Sequence, residues 1–386
     1  MGMDASIAFE IARSVKQWGL RGSVCTLGVV SFRSSADDLD RAIRAAGIEP
    51  QPGGDPFVRM GFRSVESVDV SGSEGCTHIL DLNSSDLPDV LRGRFDLIYD
   101  GGTLEHVFDV RAAQRNKFEM LRPGGVIIDF LPVNGWVDHG FYQFSPTFFA
   151  DYYAENGFVL LDARLMKYEP SRVSATVYPY VPGSLNDVPD GSFPGSWLYY
   201  GVVRKTESST CHRIPLQRRY AEIHGGAAPC NDAGLQYFLP YQIVRGAPRQ
   251  IPLIRMELKV WRRGEGHELL AHLPALAPLS DDAGSRCSPL LLLENGRVIG
   301  PSHAFHERIR HVGRGAYSHW GEWLHFSTSD NLPPEGRIYE WAIPADVAQA
   351  SGIKNRLSAT YEPSYTGDRV FDRLRSLARR GRSSRR

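Results

Sequence analysis

Apolar positions in the first half of the chain alternate between two periods, one of amphipathic helices and one of short buried strands. Ile7, Ile11, Val15 and Trp18 share one helical face, which predicts a helix over 5–19 closed by Gly19. Ser23–Leu27 then reads as a strand ending at Gly28, and Leu39, Ala42, Ile43 and Ala46 mark a helix stopping at Gly47. The Pro- and Gly-rich residues 48–62 read as a loop or a lid, with strands at Ser64–Val70 and His78–Leu82. Phe95–Asp100 predicts a buried strand, a glycine turn and a polar first helical turn. A helix from about Val110 to Leu121, capped by Asp109, a Pro-Gly-Gly stop and the strand Val126–Leu131 follow. Ser145-Pro146 opens a further helix, because proline lacks only a donor that the first turn leaves unused, and Asn156-Gly157 ends it. Val159–Leu165 and Trp197–Val203 are strands separated by a loop holding five prolines and three glycines.

This alternation over residues 1–206 predicts an α/β domain, a largely parallel sheet with helices on both faces. Residues 207–250 carry few periodic apolar positions and read as a connector. From 251 to 345 the pattern becomes β-rich, with Ile254–Trp261, Pro289–Glu294, Gly296–Gly300 and Trp323–Ser327 as strands. Asn295-Gly296 is a hairpin signal, since both residues tolerate positive φ. Residues 346–386 form a basic tail.

Composition narrows the class. A chain of 386 residues, 42% hydrophobic and 23% charged, suggests two soluble globular domains with material for a core. Apolar runs such as Val126–Ile128 and Leu290–Leu293 are too short to span a bilayer, and no basic segment leads into an apolar stretch at the start. Cys25, Cys76, Cys211, Cys230 and Cys287 are odd in number and form no Cys-x-x-Cys pair. Neither a disulfide framework nor a zinc ribbon is expected, and a reducing cytoplasm is the natural setting. The zero net charge hides eight arginines against Asp372 from Arg369 onward. Such a tail fits anionic lipid or nucleic acid, but a solvated terminus is the simpler reading, and no nucleic-acid partner is expected.

Ligands of parallel sheets sit beyond the carboxyl ends of the strands, where Asp100, Gly101, Gly102 and Glu105 would fall. The turn after the first strand, Val24–Val30, has the single glycine Gly28, and no P-loop occurs. A ligand with a phosphate chain is therefore disfavoured.

The segment FDLIYDGGTLEHV followed by LRPGG resembles the central part of class I methyltransferases that use S-adenosylmethionine. The likeness covers roughly residues 20–165. It is closest to a bacterial subgroup, through Glu74-Gly75 with His78–Asn83, Asp100–Phe108 and His139–Pro146. The resemblance implies a Rossmann-like seven-stranded sheet whose last strand is antiparallel, and S-adenosylmethionine as cofactor. It assigns Asp69 to the ribose hydroxyls and Asp81 with Leu82 to adenine. The turn Thr26-Leu27-Gly28 and Asp100-Gly101-Gly102 would lie along the methionine part. The acceptor would be an oxygen or nitrogen of a small molecule, with a surface-glycan sugar as one class. Val29 and Val30 depart from the family's small residues. If they fill the methionine slot, the alternative is a non-catalytic binding or scaffold protein of glycan assembly.

His139, Tyr142 and Gln143 come from the loop after the fifth strand. An acceptor hydroxyl needs a base with a pKa near neutrality, which makes His139 a catalytic candidate, with Tyr142 beside it and His106 as the second imidazole. Methyl transfer from a sulfonium also proceeds by positioning alone. In the second domain His303, His306, His311, His319 and His325 lie within 23 residues, but no carboxylate or cysteine completes a known spacing, and no metal site is expected. The stretch from Ser288 to Tyr339 resembles, more loosely, a β-domain appended to bacterial glycan enzymes. Tyr317, Trp320, Trp323 and Phe326 would be its sugar platform or its core.

Overall fold

A computed structural model describes residues 2–169, 174–185, 193–224, 235–282 and 288–353. Cys230, Cys287, Gly225-Gly226 and the arginine tail from Arg369 lie outside the described residues.

In chain order the first region comprises β1 (Gly2–Met3), α1 (Ala5–Trp18), β2 (Ser23–Leu27), β3 (Ser31–Phe32), α2 (Ala36–Ala45), α3 (Pro56–Arg59), β4 (Ser64–Asp69), β5 (His78–Ile79) and β6 (Phe95–Asp100). Then come α4 (Val110–Met120), β7 (Leu121–Asn134), α5 (Pro146–Glu155), β8 (Val159–Tyr168), β9 (Ser174–Pro179), β10 (Ser196–Arg204), α6 (Arg218–Ile223), β11 (Tyr241–Val244) and β12 (Ala247–Gln250). The expected helices form with the caps the residues foretell. Asp4 caps α1 through the Ser6 and Ile7 N–H groups, Gly19 closes it in the left-handed region at φ 64°, and Asp109 caps α4 through the Ala112 N–H.

The main sheet has the order β12-β11-β9-β8-β10-β7-β6-β2-β4-β5. Its seven strands from β8 to β5 are the Rossmann-like sheet that the resemblance implies. β5, β4, β2, β6 and β7 pair in parallel, while β10 runs antiparallel between β7 and β8. Alternation along the strands feeds two cores. Cys25, Ile98 and Ile127 face one side with α4 and α5 residues such as Ala113 and Phe149. Val24, Leu97 and Ile128 face the other with Ile11 and Ile43 of α1 and α2.

Four local readings are corrected. Leu121–Gly125 does not stop the chain before a strand; it is the start of β7, bonded through Gly124 and Gly125 to Lys205. The proline-rich loop after Leu165 contains β9. The stretch read as a connector carries the hairpin β11–β12, which adds to the sheet through β9. Residues 48–62 contain the short helix α3, and none of them lines the cavity described below.

The C-terminal region is a β-sandwich. One sheet has the order β13 (Leu253–Glu257), β20 (Tyr339–Pro344), β16 (Leu291–Glu294), β17 (Arg297–Val298). The other has the order β14 (Arg262–Arg263), β15 (Leu269–His272), β19 (Trp323–Phe326), β18 (Tyr317–Trp320). Leu292, Tyr317, Phe326 and Trp341 fill the space between them. The β16–β17 hairpin turns at Asn295 and Gly296, with φ of 50° and 78°. Two short helices, α7 (His306–His311) and α8 (Ala345–Ala350), complete the unit. Tyr317 and Phe326 are therefore core residues, whereas Trp320 is exposed.

Candidate active site

The carboxyl ends of β2, β4, β5 and β6 open on a cavity of about 970 Å³. Gly28, Asp69, Asp81, Leu82, Gly101, Gly102, His106 and His139 all line it. Residues separated by more than a hundred positions meet there because parallel strands deliver their ends to one edge.

Each position has a local cause. Gly28 leaves β2 at φ 80°, its N–H donating to Val68 O at 2.7 Å, so the turn lies close against β4. Asp69 ends β4, and its side chain accepts the Ser71 N–H at 3.2 Å. Asp81 accepts the backbone and side-chain N–H groups of Asn83, both at 2.9 Å, and these bonds hold its carboxyl below the usual range. Leu82 is buried at the cavity wall. Gly101 admits no side chain, since a Cβ there would lie 2.3 Å from the Tyr99 hydroxyl oxygen.

Four assigned residues do not reach the cavity. Thr26 and Leu27 are buried beneath the turn, the Thr26 hydroxyl donating to Gly28 O at 2.8 Å. Asp100 is turned inward and fully buried. One of its carboxylate oxygens accepts the Thr103 and Leu104 N–H groups at 3.1 and 3.3 Å, and the other lies 3.3 Å from Lys117 Nζ. Lys117 also bonds Asp129, which accepts the Tyr153 hydroxyl at 2.7 Å. Burial acts to lower the pKa of Lys117, but Asp129 and Asp100 outweigh it and hold the ammonium charged. Asp100 thus builds the turn that carries Glu105 and lies beneath the cavity surface. Tyr142 is committed to its loop, the hydroxyl donating to Phe108 O at 2.9 Å.

Val29 and Val30 are not among the lining residues, and Val30 packs against the core beside Phe32.

The sequence reading missed one part of the site and gave no role to another. The start of the chain, with Gly2, Asp4, Ala5, Ser6 and Ile7, forms one wall. Glu105 is the other. It sits on a single 3-10 turn, Leu104–His106, and its backbone carbonyl accepts the Phe141 and Tyr142 N–H groups at 2.8 and 3.2 Å. A Cβ at Gly140 would lie 2.7 Å from that same carbonyl oxygen. Only glycine lets the loop after β7 lie this close, and the approach brings His139 Nε2 to 3.7 Å from Glu105 Oε1. His106 Nε2 is 3.8 Å from the same oxygen, and the two imidazole centroids are 5.1 Å apart. Burial, reinforced by the nearby Asp100, pushes the Glu105 carboxyl up to about 8. His106 is lowered by burial and by its neighbour His139.

No protein-family model and no curated protein matches the chain. Solved methyltransferases are similar to about half of it. The 1,6-didemethyltoxoflavin-N1-methyltransferase of Burkholderia thailandensis, solved with its namesake compound and S-adenosylhomocysteine bound, is 17% identical, over 52% of this chain and 80% of its own, with a TM-score of 0.30. The N-methyltransferase NodS of Bradyrhizobium japonicum, solved with S-adenosylhomocysteine, is 11% identical, over 51% and 84%, also with a TM-score of 0.30. Overlaps of this size add nothing to the strand order, which defines a Rossmann-like α/β sheet with a β-sandwich behind it.

Proposed function

We propose that the protein transfers a methyl group from S-adenosylmethionine to an oxygen or nitrogen of a small molecule. One observation carries this reading: the acid at the end of β4, the acid and leucine after β5, and the glycines after β2 and β6 line a single cavity. In the assignment that the family resemblance implies, Asp69 holds the ribose hydroxyls, Asp81 and Leu82 the adenine, and Gly28, Gly101 and Gly102 the methionine part. The acceptor then meets Glu105, His106 and His139, which stand together on the cavity rim. A volume of about 970 Å³ lies at the upper end of small-molecule sites, roughly 300–1,000 Å³, and leaves room for an acceptor beside the cofactor.

A sugar of a surface glycan is the acceptor class that the looser C-terminal resemblance favours, with Trp320 as an exposed aromatic of that unit. The scaffold alternative loses its distinguishing feature, because neither Val29 nor Val30 lines the cavity. A thermal-shift screen tests the reading. S-adenosylmethionine and S-adenosylhomocysteine should raise the melting temperature of the full chain, because a ligand that binds only the folded state stabilises it. Stabilisation by nucleotide sugars alone would point to the scaffold instead.

A further inference from the structure

Glu105, His106 and His139 each bring one ligand atom to a common point, all within 4.8 Å of one another. Two come from the turn after β6 and the third from the loop after β7, so no linear spacing displays the set. Glu105 Oε1 lies 3.8 Å from His106 Nε2 and 3.7 Å from His139 Nε2. A bound transition cation holds its ligand atoms at about 2.0–2.2 Å, which puts neighbouring ligands roughly 3.0–3.5 Å apart. Rotation of two half-exposed imidazoles closes the difference. A second, independent observation marks the carboxylate. Glu105 is 1% exposed, and its Oε2 has no hydrogen-bond partner among the described residues. A buried carboxylate oxygen without donor or cation is costly, and a bound ion is one of the few things that account for it.

We propose that Glu105, His106 and His139 bind one divalent first-row transition cation, whose remaining coordination positions face the cavity and take oxygen atoms of the acceptor. Two imidazoles and one carboxylate with open positions suit zinc, manganese or ferrous iron, whereas magnesium and calcium prefer oxygen ligands throughout. The preferred acceptor then carries two neighbouring oxygens, as in a hydroxy acid or a vicinal diol, able to occupy adjacent positions. Only this acceptor part rests on the function proposed above; the cation site stands on its own geometry. Ligation uses the Nε2 lone pair of His139, so a ligating His139 cannot also take the acceptor's proton through that nitrogen.

The test uses the full chain stripped with a chelator and dialysed against zinc, and separately manganese, with bound metal measured by mass spectrometry. One equivalent per chain is expected. Glu105→Gln and His106→Ala should each weaken binding by about 100-fold or more, the scale on which even supporting residues act at metal sites. Both variants keep the shape of the turn, and unchanged circular dichroism and melting would show that they fold. His306→Ala, in the sandwich beside His325, should leave the stoichiometry intact. The proposal is overturned if the wild type binds no metal, if both site variants keep it, or if His306→Ala removes it. Calorimetry with S-adenosylmethionine on the same samples separates the two readings: metal without cofactor would leave the cation site standing and remove the methyl-transfer proposal.

Discussion

Lys117→Met should destabilise the protein far more than a change of one side chain usually does. Lys117 is fully buried between Asp100 and Asp129, themselves fully or almost fully buried, and α4 delivers it there on the face it shares with Ala113 and Met120. Methionine of similar length fills the space but leaves two carboxylates in the core with no cation. Removing one partner of such a buried pair costs about 3–5 kcal/mol. At about 2–4 °C per kcal/mol for a domain of 150–250 residues, the melting temperature should fall by roughly 6–20 °C. Urea unfolding followed by tryptophan fluorescence measures the same loss as free energy. The deficit should depend on pH. Burial already holds Asp129 above its ordinary value, with Lys117 opposing. Without the lysine, its folded pKa rises further above the unfolded one. A carboxyl raised in this way supports folding at low pH and loses that support as pH rises through the folded value. The deficit should therefore be largest near neutrality and shrink toward about pH 5. Adding Asp129→Asn should recover roughly 1–3 kcal/mol. A deficit below about 1 kcal/mol at neutral pH, or one that grows as pH falls, would refute the argument.

Gly140→Ala places a Cβ against the Glu105 carbonyl and moves the loop that carries His139. It should cost about 100-fold in turnover while S-adenosylmethionine affinity, measured by calorimetry, stays nearly constant. His139→Gln removes the imidazole that meets the acceptor, directly or through the proposed cation, and should cost on the order of 10²–10⁴ in turnover with cofactor affinity intact; a joint fall of melting temperature and cofactor binding would make His139 a structural loop residue. Asp281→Asn should unsettle the sandwich by roughly 1.5–3 kcal/mol, read by urea unfolding, because its carboxylate accepts the Ser288 and His319 N–H groups and pairs with His303. Burial pushes Asp281 up, but these bonds outweigh it and hold it below its ordinary value. Its support is therefore present above about pH 4 and lost as pH falls through the lowered value, which a pH series on the wild type would show.

The regular elements were legible because their apolar periods are undiluted. Ile7, Ile11 and Val15 fix α1, and the two-sided apolar run of β6 fixes a strand covered on both faces. The extension β9–β11–β12 was not legible. Its strands are short, and β12 is Ala-Pro-Arg-Gln, in which only pairing with β11 distinguishes a strand from a loop. At the site, strand ends located Asp69, Asp81 and the glycines correctly on the cavity. Asp100 was misplaced because sequence gives the end of a strand but not which way its last side chain turns. The signal that would have placed it was Lys117, a lysine on the inward face of α4 at the spacing of Ala113 and Met120, which requires a buried acid. Glu105 was noticed only as a neighbour, since its partnership with His139 depends on Gly140 and on a backbone contact between two loops.

Titration calorimetry of the wild-type full chain with S-adenosylmethionine, repeated on Asp69→Ala, tests the central claim most directly. One molecule should bind per wild-type chain. Asp69→Ala should weaken it by about 1.5–3 kcal/mol, roughly 10–150-fold, through loss of charge-assisted hydrogen bonds to the ribose. No binding to the wild type, or equal binding to both proteins, would contradict the account.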